Sequence, residues 1–222
     1  MSWRYQEDEL MKAEVVLGSG SPRRLQLVRS LGVEPRVISP DIDESVRPGE
    51  EAAAYVRRLA AEKLDAVMKQ LGSVGVGTVV ITADTTVEID GHILGKPEVA
   101  DQAVAMLQKL SGREHQVHTG LAVAVAGPGC RGVEWNGHVE VVTTTVWFRP
   151  LDAGEIHRYV ATGEPLDKAG AYAIQGGATT FVDRIEGPLD SVVGLPLDRL
   201  VDICAGLGQP LVASAVGPGK SL

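Results

Sequence analysis

The sequence predicts an α/β fold, and three observations carry that reading. Helical and strand-like stretches alternate along the chain. Residues 78–83 form a near-continuous apolar run, the pattern of a strand covered on both faces. Val15-Val16-Leu17 leads through Gly18-Ser19-Gly20-Ser21 into a helical pattern, giving the order strand, tight loop, helix.

The elements follow in order. Ser21 suits the N-cap of the first helix and Pro22 its first turn, with Leu27, Val28 and Leu31 on one face. Residues 36–39 read as a second strand. Residues 50–71 read as a long helix whose apolar stripe is Val56, Leu59, Ala60, Leu64, Val67 and Leu71. Residues 87–94 read as a hairpin turning at Asp90-Gly91. Residues 101–110 are helical, with Ala103, Met106, Leu107 and Leu110 inward. Residues 116–126 and 140–148 read as strands, and the Gly-rich stretch 127–137 as an exposed loop between them. Asp152 and Glu155 have capping-box spacing, so a helix should run to about residue 161. Residues 163–170 read as irregular, 179–185 as a strand and 195–205 as the last helix. From Gly206 the chain is Gly/Pro-rich.

Composition bounds the rest. At 222 residues and 44% hydrophobic content, the chain can bury a core in one domain or two joined lobes. A formal charge of −8 disfavours a role in coating nucleic acid. Cys130 and Cys204 form no C-x-x-C motif and no disulfide framework, and free thiols suit a reducing cytosol. The first residues are polar and acidic, without the apolar centre of a secretory signal. No apolar run is long enough to span a bilayer. A cytoplasmic location is expected.

Several residues carry chemistry. Arg23 and Arg24 fall in the first turn of the first helix, where the positive end of the helix dipole disfavours cations. An anion among the small residues of 18–21 would offset that cost, with guanidinium forks on its oxygens. A capped surface helix with two solvated arginines accounts for the stretch equally well. Lys63 lies on the apolar stripe of its helix, which calls for a partner or a route to water. Snorkelling is the ordinary reading, and a cation aimed into a polyphosphate cleft is the sharper one. Asp84 ends the apolar strand, a common place for ligand chemistry, although turn-forming Asp residues are also common there. Lys96 follows the hairpin and can return a cation to the same edge. Glu44, in an acidic loop, reads as solvated unless it stands near Asp84, where two carboxylates would bind Mg²⁺. The five histidines form no H-E-x-x-H and no Cys/His cluster. Neither a Walker A loop nor a G-x-S-x-G elbow is present.

Four blocks together resemble the Maf family of nucleotide pyrophosphatases, also called septum-formation-inhibitor-like proteins. They are Gly18-Ser19-Gly20-Ser21-Pro22-Arg23-Arg24; Ala83-Asp84-Thr85 with Gly95-Lys96-Pro97; Leu110-Ser111-Gly112-Arg113-Glu114-His115-Gln116-Val117-His118-Thr119-Gly120; and Gly163-Glu164-Pro165-Leu166-Asp167-Lys168-Ala169-Gly170-Ala171-Tyr172-Ala173-Ile174-Gln175-Gly176, followed by Val192-Val193-Gly194-Leu195-Pro196-Leu197. The resemblance runs over about 15–200. It implies an inosine-triphosphatase-like fold, a mixed twisted sheet flanked by helices with two lobes around a deep cleft. It implies one catalytic domain over 13–206, with a flexible extension at 1–12 and a loose tail at 207–222.

By the same resemblance the reaction is cleavage of a nucleoside triphosphate to monophosphate and pyrophosphate, with a divalent metal, Mg²⁺ or Mn²⁺, and a homodimer as the assembly. Asp84 is the implied general base or metal ligand, with Lys63 and Lys96 as catalytic cations. Ser19, Arg23 and Arg24 are the implied phosphate binders, and Glu44 joins Asp84 on the metal. Arg23, Thr85 and Gln175 are similar to the branch acting on dTTP and UTP. The chain departs from the family pattern at Gly18, where Ala is common, and at Gly177-Ala178 beside Gln175. The stretch 127–137 is longer than usual. Two alternatives stay open: a pyrophosphatase with another base preference such as 7-methyl-GTP, and a non-catalytic nucleotide-binding regulator of cell division.

Overall fold

A computed structural model describes residues 14–129 and 132–211. The calls to a flexible extension at 1–12, to the end of the tail and to Cys130 lie outside the described residues. Of the tail's first residues, Leu207 and Leu211 pack on the core.

The structure is α/β, with a seven-stranded mixed sheet in the order β2-β1-β3-β5-β6-β7 and β4 paired to the far part of β3. The strands are β1 Val15–Leu17, β2 Arg36–Val37, β3 Val79–Ile89, β4 His92–Leu94, β5 Glu114–Gly129, β6 Gly132–Phe148 and β7 Val182–Glu186. The helices are α1 Pro22–Ser30, α2 Ala52–Leu71, α3 Ala100–Leu110, α4 Ala153–Val160, α5 Leu189–Val193 and α6 Leu197–Gly206. Among the described residues, no helix is long and apolar enough to cross a membrane.

Most local signals act as the sequence implies. Ser21 caps α1 by accepting from the Arg24 amide, and Pro22 occupies its first turn. Asp152 and Glu155 form both halves of the capping box on α4. The β3–β4 hairpin turns at Asp90 and Gly91, both at positive φ.

Two expectations need correction, and one element lies outside them. At 127–129 and 132–137 the chain is strand rather than loop: β5 and β6 pair from Gly129↔Gly132 onward as one long ribbon. Trp135 and Val139 pack against the cluster under α2, so a period-two pattern lay beneath the glycines. The strand placed at 179–185 begins only at Val182, because 177–181 winds into a 3-10 turn. There the Thr179 hydroxyl donates to the carbonyls of Ile174 and Gly176, and such local bonds compete with a strand ladder. Helix α5, between Pro188 and Gly194, was not foreseen.

Strands β3 and β5 run through two core regions. Near β1, Val79, Ile81, Leu121 and Val123 face α1 and α6, while Val80, Ala122 and Ala124 face α2. Further along, Val87, Ile89 and Val117 join α3, α4 and the aromatic group of Phe148, Tyr159, Tyr172 and Phe181. The outer edge of β3 is paired with β1 over 79–81 and with β4 over 87–89. Between them, over 82–86, no described strand pairs on that side. Asp84 sits at the middle of this gap.

Helix α2 is held against the sheet by a glycine. Gly120 pairs with Asp84 across the ladder, and a Cβ on it would stand 2.2 Å from the Val56 carbonyl oxygen. Main chain therefore rests directly on main chain there, as only glycine allows. Gly120→Ala should push α2 off the sheet and lower stability by about 3 kcal/mol, read as a fall in the urea midpoint. An unchanged midpoint would remove this account of the packing.

His115 is buried beside Phe148, with Nε2 2.8 Å from the Tyr172 hydroxyl and Nδ1 without a partner among the described residues. Burial pulls its pKa down to about 4. The unfolded chain therefore binds this proton first as pH falls. Stability should be intact above about pH 6.5 and decline by about 3 kcal/mol on the way to pH 4. Urea titrations of wild type and His115→Leu should show a flatter pH slope in the variant over that window.

Candidate active site

The gap in the β3 edge opens into a cleft of about 840 Å³. Its walls come from the 18–24 loop and helix tip, the β3 centre, the segment before α2, Lys96 after β4, and the 164–176 stretch. All nine residues singled out from the sequence line it: Ser19, Arg23, Arg24, Glu44, Lys63, Asp84, Thr85, Lys96 and Gln175. By strand alternation, the main-chain groups of Ala83 and Thr85 turn toward the same gap, in phase with the Ile81 carbonyl that accepts from Gly18.

Lys63 is the centre of the arrangement. Its helix face is buried on the sheet, and only 7% of the residue is exposed. The ammonium lies 2.6 Å from Asp84 Oδ1 and 2.6 Å from Glu44 Oε1. The ordinary reading of a snorkelling lysine is thus replaced by one of a cation shared between two carboxylates. Asp84 is 8% exposed, so its charge has lost most of its water and depends on this partner. Glu44 is half-exposed, not simply solvated. Desolvation works to raise its pKa, but the Lys63 hydrogen bond and the charges of Lys63, Lys96 and Arg24 together hold it below the usual range.

Arg24 forms the floor. Its Nε donates to the Gly194 carbonyl at 2.8 Å, Nη1 to Ser19 Oγ at 3.2 Å and Nη2 to Thr85 Oγ1 at 3.2 Å. Desolvation lowers its pKa against the opposing pull of Asp84. Three of its five donors are thereby committed to protein, which leaves Arg23 the more open of the pair. Ser19 Oγ also accepts from the Ser21 amide at 3.2 Å, so its hydroxyl proton is left for a ligand.

The Thr85 hydroxyl lies 2.9 Å from Thr119 Oγ1, and Thr119 donates onward to the Ser191 carbonyl at 2.8 Å. Donor direction is then fixed along the chain Arg24, Thr85, Thr119, Ser191. In the sequence Thr119 stands out only as part of the 110–120 motif. Its role becomes visible once β5 is seen to lie beside β3.

The opposite wall carries Gln175, exposed and at the rim. The turn beneath it is pinned by the Ala173 amide on the Tyr159 hydroxyl at 2.9 Å and the Gly177 amide on Glu164 Oε2 at 2.8 Å. A Cβ on Gly176 would stand 1.9 Å from Glu164 Oε1, and one on Gly177 2.9 Å from the Tyr159 ring. A side chain at Gly177 would press on the Tyr159 ring, and one at Gly176 would displace the Glu164 carboxylate from the Gly177 amide. Tyr55 was also missed. It donates to the Glu44 carbonyl at 2.9 Å, and burial, followed by the charges of Asp84 and Glu44, pushes its pKa up to about 12.

The family profile described as Maf-like protein matches residues 14–207. The chain belongs to the Maf family. A dTTP/UTP pyrophosphatase of Hahella chejuensis is 50% identical over 200 residues, 89% of this chain and 94% of that protein. One of Chromobacterium violaceum is 47% identical over 198 residues, 89% and 96% of the two chains. The solved Ham1 protein of Staphylococcus aureus is 16% identical, with a TM-score of 0.44 over 87% of this chain and 98% of that one.

The departures of this Maf-family chain have local causes. At Gly18 a Cβ would stand 2.5 Å from Thr82 Cγ2 and 2.8 Å from Val67 Cγ2, so those two methyl groups fill the space of an alanine methyl. Gly177 answers to Glu164 and Tyr159, as above. The donor set also suits a hard divalent cation. Asp84 and Glu44 each keep a second oxygen beyond the one on Lys63, and each opens to the cleft. No group of three or more His, Cys, Asp or Glu stands ready to hold a metal among the described residues. Such an ion would need ligand oxygens from a substrate as well.

Thr119→Val keeps shape but leaves the buried Ser191 carbonyl without its donor and Thr85 without an acceptor. A loss of about 1–3 kcal/mol is expected on chemical denaturation. A variant as stable as wild type would show the hydroxyl chain to be incidental.

Proposed function

We propose that this chain hydrolyses dTTP and UTP to the monophosphate and pyrophosphate, as a cytoplasmic, homodimeric enzyme that cleans nucleotide pools. The observation that carries the reading is the Lys63 ammonium clamped between Asp84 and Glu44 in a cleft whose facing wall is the 19–24 helix tip. The relatives named dTTP/UTP pyrophosphatase support the choice of substrate.

In this mechanism Asp84 and Glu44 would hold Mg²⁺ or Mn²⁺, which when bound draws charge from the substrate phosphates. Ser19 and Arg23, at the α1 tip, seat the phosphate tail. Asp84 takes a proton from the attacking water. The water oxygen bonds to the α-phosphorus, the bond from that phosphorus to the bridging oxygen breaks, and pyrophosphate leaves. Lys63, Lys96, Arg23 and Arg24 offset the charge that grows on the departing group. Lys63 also keeps Asp84 aimed. Most of the catalysis is positioning and electrostatics. Gln175, whose amide donates and accepts, reads the pyrimidine edge, with Thr85 and Arg23 setting the floor below it.

The deciding experiment measures pyrophosphate release from dTTP, UTP, CTP, GTP and 7-methyl-GTP by wild type and Asp84→Asn, with and without Mg²⁺. Wild type should favour dTTP and UTP, and the variant should be slower by about a hundredfold or more. Unchanged turnover in the variant would end the mechanism, and a purine preference would end the substrate choice.

A further inference from the structure

Between β2 and α2 the chain from Ser39 to Glu51 has no regular structure, yet it delivers Glu44 to Lys63. A segment without a ladder must be held by side chains, and one residue holds most of it. Arg58, on α2, is nearly buried, with 12% of its side chain exposed. Its guanidinium forks onto Glu50, with Nε to Oε1 at 2.6 Å and Nη2 to Oε2 at 2.7 Å. Nη2 also donates to the Ser45 carbonyl at 3.0 Å, and Nη1 to Glu62 at 3.2 Å. Glu50 in turn accepts from the Arg47 amide at 3.0 Å, and Arg47 pairs with Glu62 at 2.9 Å. Tyr55, lying 5.6 Å under the Arg58 guanidinium, takes the Glu44 carbonyl.

We infer that Arg58 is a positioning residue for the pyrophosphatase site: it fastens the 44–50 segment to α2 and so fixes Glu44 against Lys63. Glu44 and Lys63 stand on opposite sides of a loop-to-helix junction, and Lys63 lies just over one turn beyond Arg58 on the same helix. One rigid helix thus supplies both the cation and the clamp that brings the carboxylate to it. The fork is needed because one planar group must meet a carboxylate and a carbonyl at once, which an ammonium does not reproduce. The inference rests on Glu44 serving the site proposed above.

The test uses the full chain and two readouts. Hydrogen exchange of the peptide covering 40–50, in substrate-free protein, should quicken about tenfold in Arg58→Met and in Arg58→Lys. Turnover of dTTP should fall about tenfold in each, a loss typical of groups that orient a metal-binding carboxylate. The double variant Arg58→Met with Glu44→Gln should be no slower than Glu44→Gln alone, since the clamp acts through Glu44. Unchanged exchange in both single variants overturns the inference, and so does an additive loss in the double variant. Arg58→Lys retains charge and stem, so it keeps the test open if Arg58→Met does not fold. Should wild type release no pyrophosphate, the function proposed above fails while the exchange data still judge the clamp.

Discussion

The site depends on one electrostatic constraint: a lysine ammonium held in a nearly dry place between two carboxylates. Taken singly, each of these charges is costly to bury. Together they fix one another, because Asp84 arrives on β3, Lys63 on α2 and Glu44 on the segment before α2. Neither Lys63 nor Asp84 can move without leaving the other's charge unpaired in a place with little water, and half-exposed Glu44 completes the set from the rim. Three parts of the chain, far apart in sequence, are thereby tied to one point.

That point lies where it does because of main-chain geometry. Gly120, the ladder partner of Asp84, lets the backbone of α2 sit on the sheet. Two turns further along α2, Lys63 then comes down over Asp84 itself. On the other face, Arg24 is anchored to the Gly194 carbonyl and to the threonine hydroxyls of β3 and β5. Gly194, at φ 126, presents that carbonyl from a conformation side chains rarely adopt. The cleft is thus floored by fixed dipoles and charges, the condition under which electrostatic catalysis needs little rearrangement.

Much of this was legible in the sequence. The Ser21 cap, the Asp152–Glu155 box and the Asp90-Gly91 turn are local signals, satisfied within a few residues, and they act as read. Lys63 was legible as an anomaly, a charge on an apolar stripe, although its partners were not. Thr119, Tyr55 and Arg58 were not legible as functional. Their meaning lies in contacts across strands or between a helix and a loop, which spacing along one chain does not encode. The ribbon of β5 and β6 was hidden because glycine marks both loops and places where main chain or a neighbouring side chain comes close. At Gly127 the nearby group is the Asn136 side chain, in the paired strand.

The continuity of β3 through both core regions has a mechanical consequence. Its ladder with β5 is unbroken from Val79 to Glu88, and that pair forms the back of the cleft. Two bodies that share such a spine have no linker between them, so any relative motion must bend or twist the shared ladder. The margins of the cleft are held differently, by side chains: the stapled segment ahead of α2 and the turn bearing Gln175.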